Sequence, residues 1–231
     1  TTARLPHPGV PPVYAVGFLA DGRPFMAMKR IDGRTLAAVL AARWQRPGTR
    51  STDDLDLTLP VSPGAVQVFE QVCQAVGFAH ARGVVHRDLK PANVMVGAFG
   101  DVLVLDWGLA TRNDDRGMMN DESKTDTVPG LNSSFVIPKS SFQTVGTPAY
   151  MSPEQARGGP VDARADVFAL GGILCAILTG QPAFTGRNTD DVLRKARLAD
   201  VDDAYQRLDA CDAAPELVAL AKACLAADPA D

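Results

Sequence analysis

A chain of 231 residues, 46% hydrophobic and 22% charged, can form one large domain or two small lobes and is apolar enough to bury a core. Its formal net charge of −4, with no basic block, argues against nucleic acid or an anionic membrane surface as a partner. The four cysteines, Cys73, Cys175, Cys211 and Cys224, stand far apart with no C-x-x-C pair, and read as reduced, buried thiols of a chain kept in a reducing, cytoplasmic compartment.

The chain begins at Thr1 without a signal-peptide pattern, which reads as a chain cut from something longer rather than a processed one. Residues 13–19 and 24–28 are two strand-like runs around Asp21-Gly22, a hairpin signal. Residues 31–34 read as a polar break, with Thr35 the N-cap of a short helix over 36–43. Residues 46–61 are a surface loop rich in Pro, Gly, Asp and Thr. Ser62-Pro63 opens a helix whose apolar positions Val68, Phe69, Val72, Cys73, Val76 and Ala79 recur at helical spacing, and Gly83 ends it. Residues 94–96 and 102–105 form a second hairpin around a Gly-containing turn, and 111–141 is a long polar segment without periodicity. The most apolar helix covers 163–178. Its unbroken apolar run from 167 to 178 is well short of the roughly 20 residues that span a bilayer, so no membrane segment is expected. Helices over 190–198 and 215–226 follow. Strands gather early and helices late, an α+β arrangement with segregated parts.

Four stretches carry candidate chemistry. His86-Arg87-Asp88-Leu89-Lys90-Pro91-Ala92-Asn93 is a polar loop between apolar elements. An acid that can accept a hydroxyl proton (Asp88), a cation that can steady a transferring phosphoryl group (Lys90) and a carboxamide oxygen that can bind Mg²⁺ (Asn93) are what phosphoryl transfer needs at one point. A polar surface turn is the alternative. Asp106-Trp107-Gly108 follows the strand at 102–105, where Asp106 can supply the second oxygen ligand of a Mg²⁺ pair; a D-x-G alone is more often a plain turn, and the spacing from Asn93 is what strengthens it. Gly146-Thr147-Pro148-Ala149-Tyr150-Met151-Ser152-Pro153-Glu154 is otherwise a Pro-rich loop. Asp166, in the first turn of the apolar helix, is either an ordinary helix-dipole acid or a buried, hydrogen-bonded one.

Together these stretches resemble protein kinases: the catalytic loop H-R-D-L-x-x-x-N, the D-F-G with Trp107 in place of Phe, and the segment ending A-P-E, here Ser152-Pro153-Glu154. The likeness runs from about residue 5 to 231 and is strongest to bacterial eukaryotic-like serine/threonine kinases. It implies a kinase-like α+β fold, with residues 1–31 a remnant of the β-rich N-lobe carrying hinge and strands, and 32–231 a mainly helical C-lobe. It further implies Asp88 as catalytic base, Lys90 and Thr147 beside it, with Thr147 hydrogen-bonding near Asp88 and Lys90. Asn93 and Asp106 become Mg²⁺ and nucleotide ligands. Met28 is the gatekeeper, Lys29 to Ile31 the hinge, and Met95 the floor of an ATP site. Val13 joins the apolar spine, and Asp166 accepts backbone N–H groups of the catalytic loop. Arg87 pairs with a phosphate on the segment between Asp106 and Glu154, where Ser140, Ser141 and Thr144 are candidate sites of autophosphorylation. Protein substrates bearing Ser or Thr are implied, with no strong demand for arginine because Ala92 stands where some members carry an acid.

Three family parts do not appear in the sequence: no G-x-G-x-x-G, no Lys before Lys29, and no helix carrying that lysine's Glu partner. The chain also stops at Asp228-Pro229-Ala230-Asp231, where the resemblance implies a further Arg that pairs with Glu154, so both ends read as truncated and the chain in isolation is expected to be nearly or wholly inactive. The alternatives are a pseudokinase scaffold that binds partners without catalysis, and a fragment that cannot fold, with a sticky hairpin edge at 13–18.

Overall fold

Alternating apolar and small residues around Asp21-Gly22 fold as an antiparallel hairpin, β1 (Val13–Phe18) on β2 (Pro24–Met28), in the computed structural model, which describes residues 5–44, 63–107, 111–112 and 147–226. Gly22 takes φ 81° at the turn, where its N–H donates to Leu19 O. Residues 31–34 are not simply a break. They contain the start of β3 (Gly33–Thr35), which pairs with β5 (Val94–Gly97), itself hairpinned to β6 (Val102–Val104). A glycine pair makes this possible: Gly33 faces Gly97, and a Cβ on Gly33 would lie 2.4 Å from Val96 O, a backbone approach closed to any other residue.

Thr35 Oγ1 accepts from Ala38 N and starts α1 (Leu36–Trp44). The 46–61 loop and Ser62 lie outside the described residues. In α2 (Pro63–His80) the positions Val68, Phe69, Val72, Val76 and Ala79 are buried, while Cys73 is half-buried, and the chain leaves the helix through Gly83 at φ 70°. β4 (Val84–Val85) pairs with β7 (Thr111–Arg112), so the polar 111–141 segment begins as strand. The two buried valines of β4 need a ladder partner, and backbone pairing requires no apolar side chain in return. Ser140, Ser141 and Thr144 lie outside the described residues.

The second half comprises α3 (Pro153–Ala156), α4 (Ala163–Thr179), α5 (Thr189–Leu198), α6 (Asp202–Ala210) and α7 (Pro215–Cys224). α4 is the central rod. It is buried from Ala165 to Leu178 except at Val167, and it ends at Gly180 in the left-handed conformation. A helix apolar on every side is a buried one, and each fully buried Leu, Ile or Phe contributes about 1.5–3 kcal/mol. α2, α6 and α7 pack on it. α6 is absent from the sequence expectation because its buried positions are only Ala204 and Leu208, too few to mark a periodic stripe.

All four cysteines are free; Cys175 is buried and the other three are half-buried, less sheltered than the sequence suggests. Burial pushes the Cys73 thiol up to about 11 and holds Cys175 and Cys224 high as well, which makes them poor nucleophiles. No helix among the described residues is long and apolar enough to cross a membrane. The order of elements, short antiparallel sheets followed by helices packed on α4, is α+β as the sequence suggests.

Candidate active site

The loop from His86 to Asn93 joins β4 to β5, and the first turn of α4 holds it through Asp166. Asp166, 1% exposed, accepts from His86 N at 2.7 Å, from Arg87 N at 2.8 Å and from His80 Nε2 at 2.7 Å. A carboxylate so buried is costly unless donors surround it, and three do. The sequence foresees the two backbone donors. His80 it misses, although the signal is there: a polar residue four positions after Val76 continues the buried stripe of α2.

His86 is buried and uses both ring nitrogens. Nε2 lies 2.8 Å from Leu105 O and Nδ1 accepts from Asp88 N at 3.2 Å, so a neutral ring with its proton on Nε2 satisfies both. Burial lowers its pKa, against the pull of Asp166 and the Leu105 carbonyl. The ring packs on Trp107 at 4.6 Å between centroids, and Trp107 donates from Nε1 to Val104 O. Trp107 is buried, as an apolar plug beneath Asp106 should be.

Two non-glycine residues here have left-handed backbones, Arg87 at φ 72° and Asp106 at φ 60°. Such conformations cost about 1–3 kcal/mol each and persist where the surroundings over-determine them. They flank the polar group. Asp88 Oδ2 accepts from Lys90 Nζ at 2.7 Å and from Asn93 Nδ2 at 3.1 Å, and Asn93 Nδ2 also donates to Asp88 O at 2.8 Å. Pro91–Asn93 forms a single 3-10 turn that brings the carboxamide back over Asp88. Asp88 Oδ1 accepts no hydrogen bond among the described residues, which leaves one carboxylate oxygen for a proton from outside the protein.

Leu105 N donates to Asn93 O at 2.8 Å and so ties the end of the loop to the residue before Asp106. With Asn93 Nδ2 committed to Asp88, its Oδ1 is left as an acceptor, and Asp106 is exposed. A carboxamide oxygen and a carboxylate are hard donors of the kind Mg²⁺ takes when phosphate and water complete the shell. Among the described residues no group of three or more His, Cys, Asp or Glu could hold a metal. A Mg²⁺ shared with phosphates does not need one.

Thr147 is exposed and shares a small cleft with Asp88, Tyr150, Met151 and Gln155, but no hydrogen bond joins it to Asp88 or Lys90. It stands ahead of the 3-10 turn Pro148–Tyr150 without capping it. Met95, half-buried on β5, stands opposite Thr35 of β3, and Ile31, also half-buried, lies two residues before that strand. Met28 and Lys29 belong to the other hairpin. Met28 pairs with Val13 and is exposed, and Lys29 N donates to Pro12 O. The sequence also overlooks Gln155, whose Nε2 donates to Arg87 O at 2.6 Å. Its only sequence signal is that it follows Ser152-Pro153-Glu154.

The model of the protein kinase domain matches residues 25–231. The chain is 38% identical over 182 residues to the serine/threonine-protein kinase PknD of Chlamydia felis, an alignment covering 77% of this chain and 18% of that protein. It is 37% identical over 188 residues to PknB of Mycobacterium tuberculosis, covering 80% and 25% respectively. To PknD of Protochlamydia amoebophila it is 37% identical over 194 residues, covering 84% and 19%. The chain thus spans between about a fifth and a quarter of the length of these relatives. A polar loop with this geometry and a family match over most of its length lead to one conclusion: the chain belongs to the protein kinase domain family and is similar to bacterial serine/threonine kinases.

Proposed function

We propose that the chain is the catalytic part of an ATP-dependent serine/threonine protein kinase, with residues 1–31 contributing to its N-lobe and 32–231 forming its C-lobe. One observation carries the reading: Asp88 has one oxygen fixed by Lys90 and Asn93, and the other accepts no hydrogen bond among the described residues. A carboxylate held that way can take the proton of a Ser or Thr hydroxyl at the moment the oxygen attacks. Lys90, already 2.7 Å from Asp88, is placed to steady the phosphoryl group as well as the base. Thr147, on the rim of the same cleft, is placed to orient the incoming hydroxyl. Mg²⁺-ATP would be held by Asn93 and Asp106, with Met28, Lys29, Ile31 and Met95 on the adenine side, and it supplies the γ-phosphoryl group. Substrates are proteins carrying Ser or Thr, the chain's own loop before Glu154 among them, and the compartment is the cytoplasm.

Phosphoryl transfer from labelled ATP to a protein substrate by the product of the full reading frame tests this. Asp88→Asn should lower turnover about 10²- to 10⁴-fold; unchanged turnover refutes the role of Asp88. A peptide library should reveal no strong preference for arginine at the subsite facing Ala92, and such a preference would count against the subsite assignment. A scaffold that binds nucleotide without transferring phosphate is the second reading. Nucleotide binding with no transfer in the same assay would select it.

A further inference from the structure

The peptide that leads into Asp88 is gripped from two sides. Asp166 Oδ1 accepts from Arg87 N at 2.8 Å, and Gln155 Nε2 donates to Arg87 O at 2.6 Å, with the left-handed Arg87 backbone between them. A non-glycine residue in that region lies about 1–2 kcal/mol above its right-handed form. Asp166 fixes only the peptide before Arg87. The peptide after it donates from Asp88 N to His86 Nδ1 at 3.2 Å, and its carbonyl is held by Gln155 through the shorter bond.

The donor itself is well anchored. Ser152 is fully buried, its Oγ accepts from Gln155 N at 3.4 Å, and Pro153 sets the first helical position of α3. Behind α3, Arg157 Nε donates to Arg197 O at 2.7 Å while Arg197 Nε donates to Ala156 O at 3.1 Å, a reciprocal lock onto α5. Gln155 also lines the cleft with Asp88, Thr147 and Tyr150. The residue type matters. A carboxamide presents a neutral N–H to the carbonyl, Met is of similar length with no donor, and Glu would set a carboxylate against a carbonyl oxygen.

From this geometry we infer that Gln155 is a positioning residue: through the Arg87 carbonyl it sets the direction of the Asp88 carboxylate and ties the proton acceptor to the segment 147–156. The inference deepens the kinase reading and rests on it. Without the Gln155 donor the Arg87 carbonyl turns to water, the left-handed backbone relaxes, and the Asp88 carboxylate shifts against its Lys90 and Asn93 donors, while Asn93 keeps its own tie to Leu105 N beside Asp106.

The test compares Gln155→Met and Gln155→Lys in the product of the full reading frame. The Met variant should lose about 10- to 100-fold in kcat, with KM for ATP within about twofold of wild type, and the Lys variant, which restores a donor, should recover most of the loss. A Met variant with near wild-type kcat, or a Lys variant as impaired as Met, overturns the inference. Amide exchange separates it from the kinase reading: even if wild type transfers no phosphate, Gln155→Met should speed exchange over residues 86–93 while the α4 amides keep their rates. Unchanged exchange over 86–93 overturns the inference. Equal acceleration in α4 does so too, because it means that the fold rather than the alignment has been lost.

Discussion

His86 links the proposed proton acceptor to the stability of the whole loop. Its ring is buried against Trp107, donates to Leu105 O and accepts from Asp88 N, a set of contacts that only the neutral imidazole can make. Burial, the dominant cause, lowers its pKa in the fold, whereas the unfolded chain protonates its histidines near about 6.5. Below that pH the unfolded state binds more protons than the native one, so stability falls as pH falls through about 6.5, and it is unaffected by this group above. The fall stops once the lowered folded pKa is passed. Thermal melts at pH 7.5 and 5.5 should show a drop that shrinks in His86→Gln, which keeps a donor for Leu105 O but does not titrate. An equal drop in both proteins would assign the acid sensitivity to other groups.

Among the elements, α4 shows how close packing supports the site, because the helix that presents Asp166 at one end must be held rigidly at its middle. Gly171 lies against α7: a Cβ there would stand 2.7 Å from Cys224 Cβ and 3.1 Å from the Cys224 carbonyl carbon. Ala would gain up to about 1 kcal/mol of helix propensity but would force backbone to move, at a cost of about 1–3 kcal/mol. Gly171→Ala should therefore lower the denaturant midpoint with an unchanged slope. Gly77→Ala in α2, where nothing lies within 4 Å of the new methyl, should raise it by the propensity alone. An unchanged midpoint for Gly171→Ala would mean that α7 yields. The same two helices explain what the sequence discloses and what it hides. α2 is legible because its apolar positions repeat with the helical period, α4 because it is one long apolar run, and the 86–93 loop because its chemistry is contiguous. β3 is hidden by its Gly33–Gly97 pairing, and α6 by having only two buried side chains. His80 meets Asp166 across 86 residues of sequence and Gln155 meets the loop across 68; the stripe of α2 marks His80 as inward-facing, but no local pattern records either partner.

Across the whole molecule, stability is distributed unevenly, and the proposed nucleotide site straddles the gradient. The β1–β2 hairpin is a sheet of two strands whose side chains are largely exposed: Tyr14 is 68% exposed and Val16 59%. Opening it exposes little apolar surface that is not already wet. Opening α4 exposes the core, so its amides exchange only through global unfolding. If global stability is in the usual range of about 5–15 kcal/mol, hairpin amides should exchange at least about a thousandfold faster than those of Ile173 to Ile177. Met28 and Lys29 close that hairpin, whereas Asn93 and Asp106 are tied to the better buried β5–β6 side. A nucleotide bridging both should slow exchange in the hairpin as well as in the 86–93 loop, since a ligand that binds only the closed form stabilises it by mass action. Exchange measured with and without Mg²⁺ and a non-hydrolysable ATP analogue reads this directly. Protection confined to 86–107 would place the nucleotide on the Asn93 and Asp106 side alone and remove Met28 and Lys29 from the site.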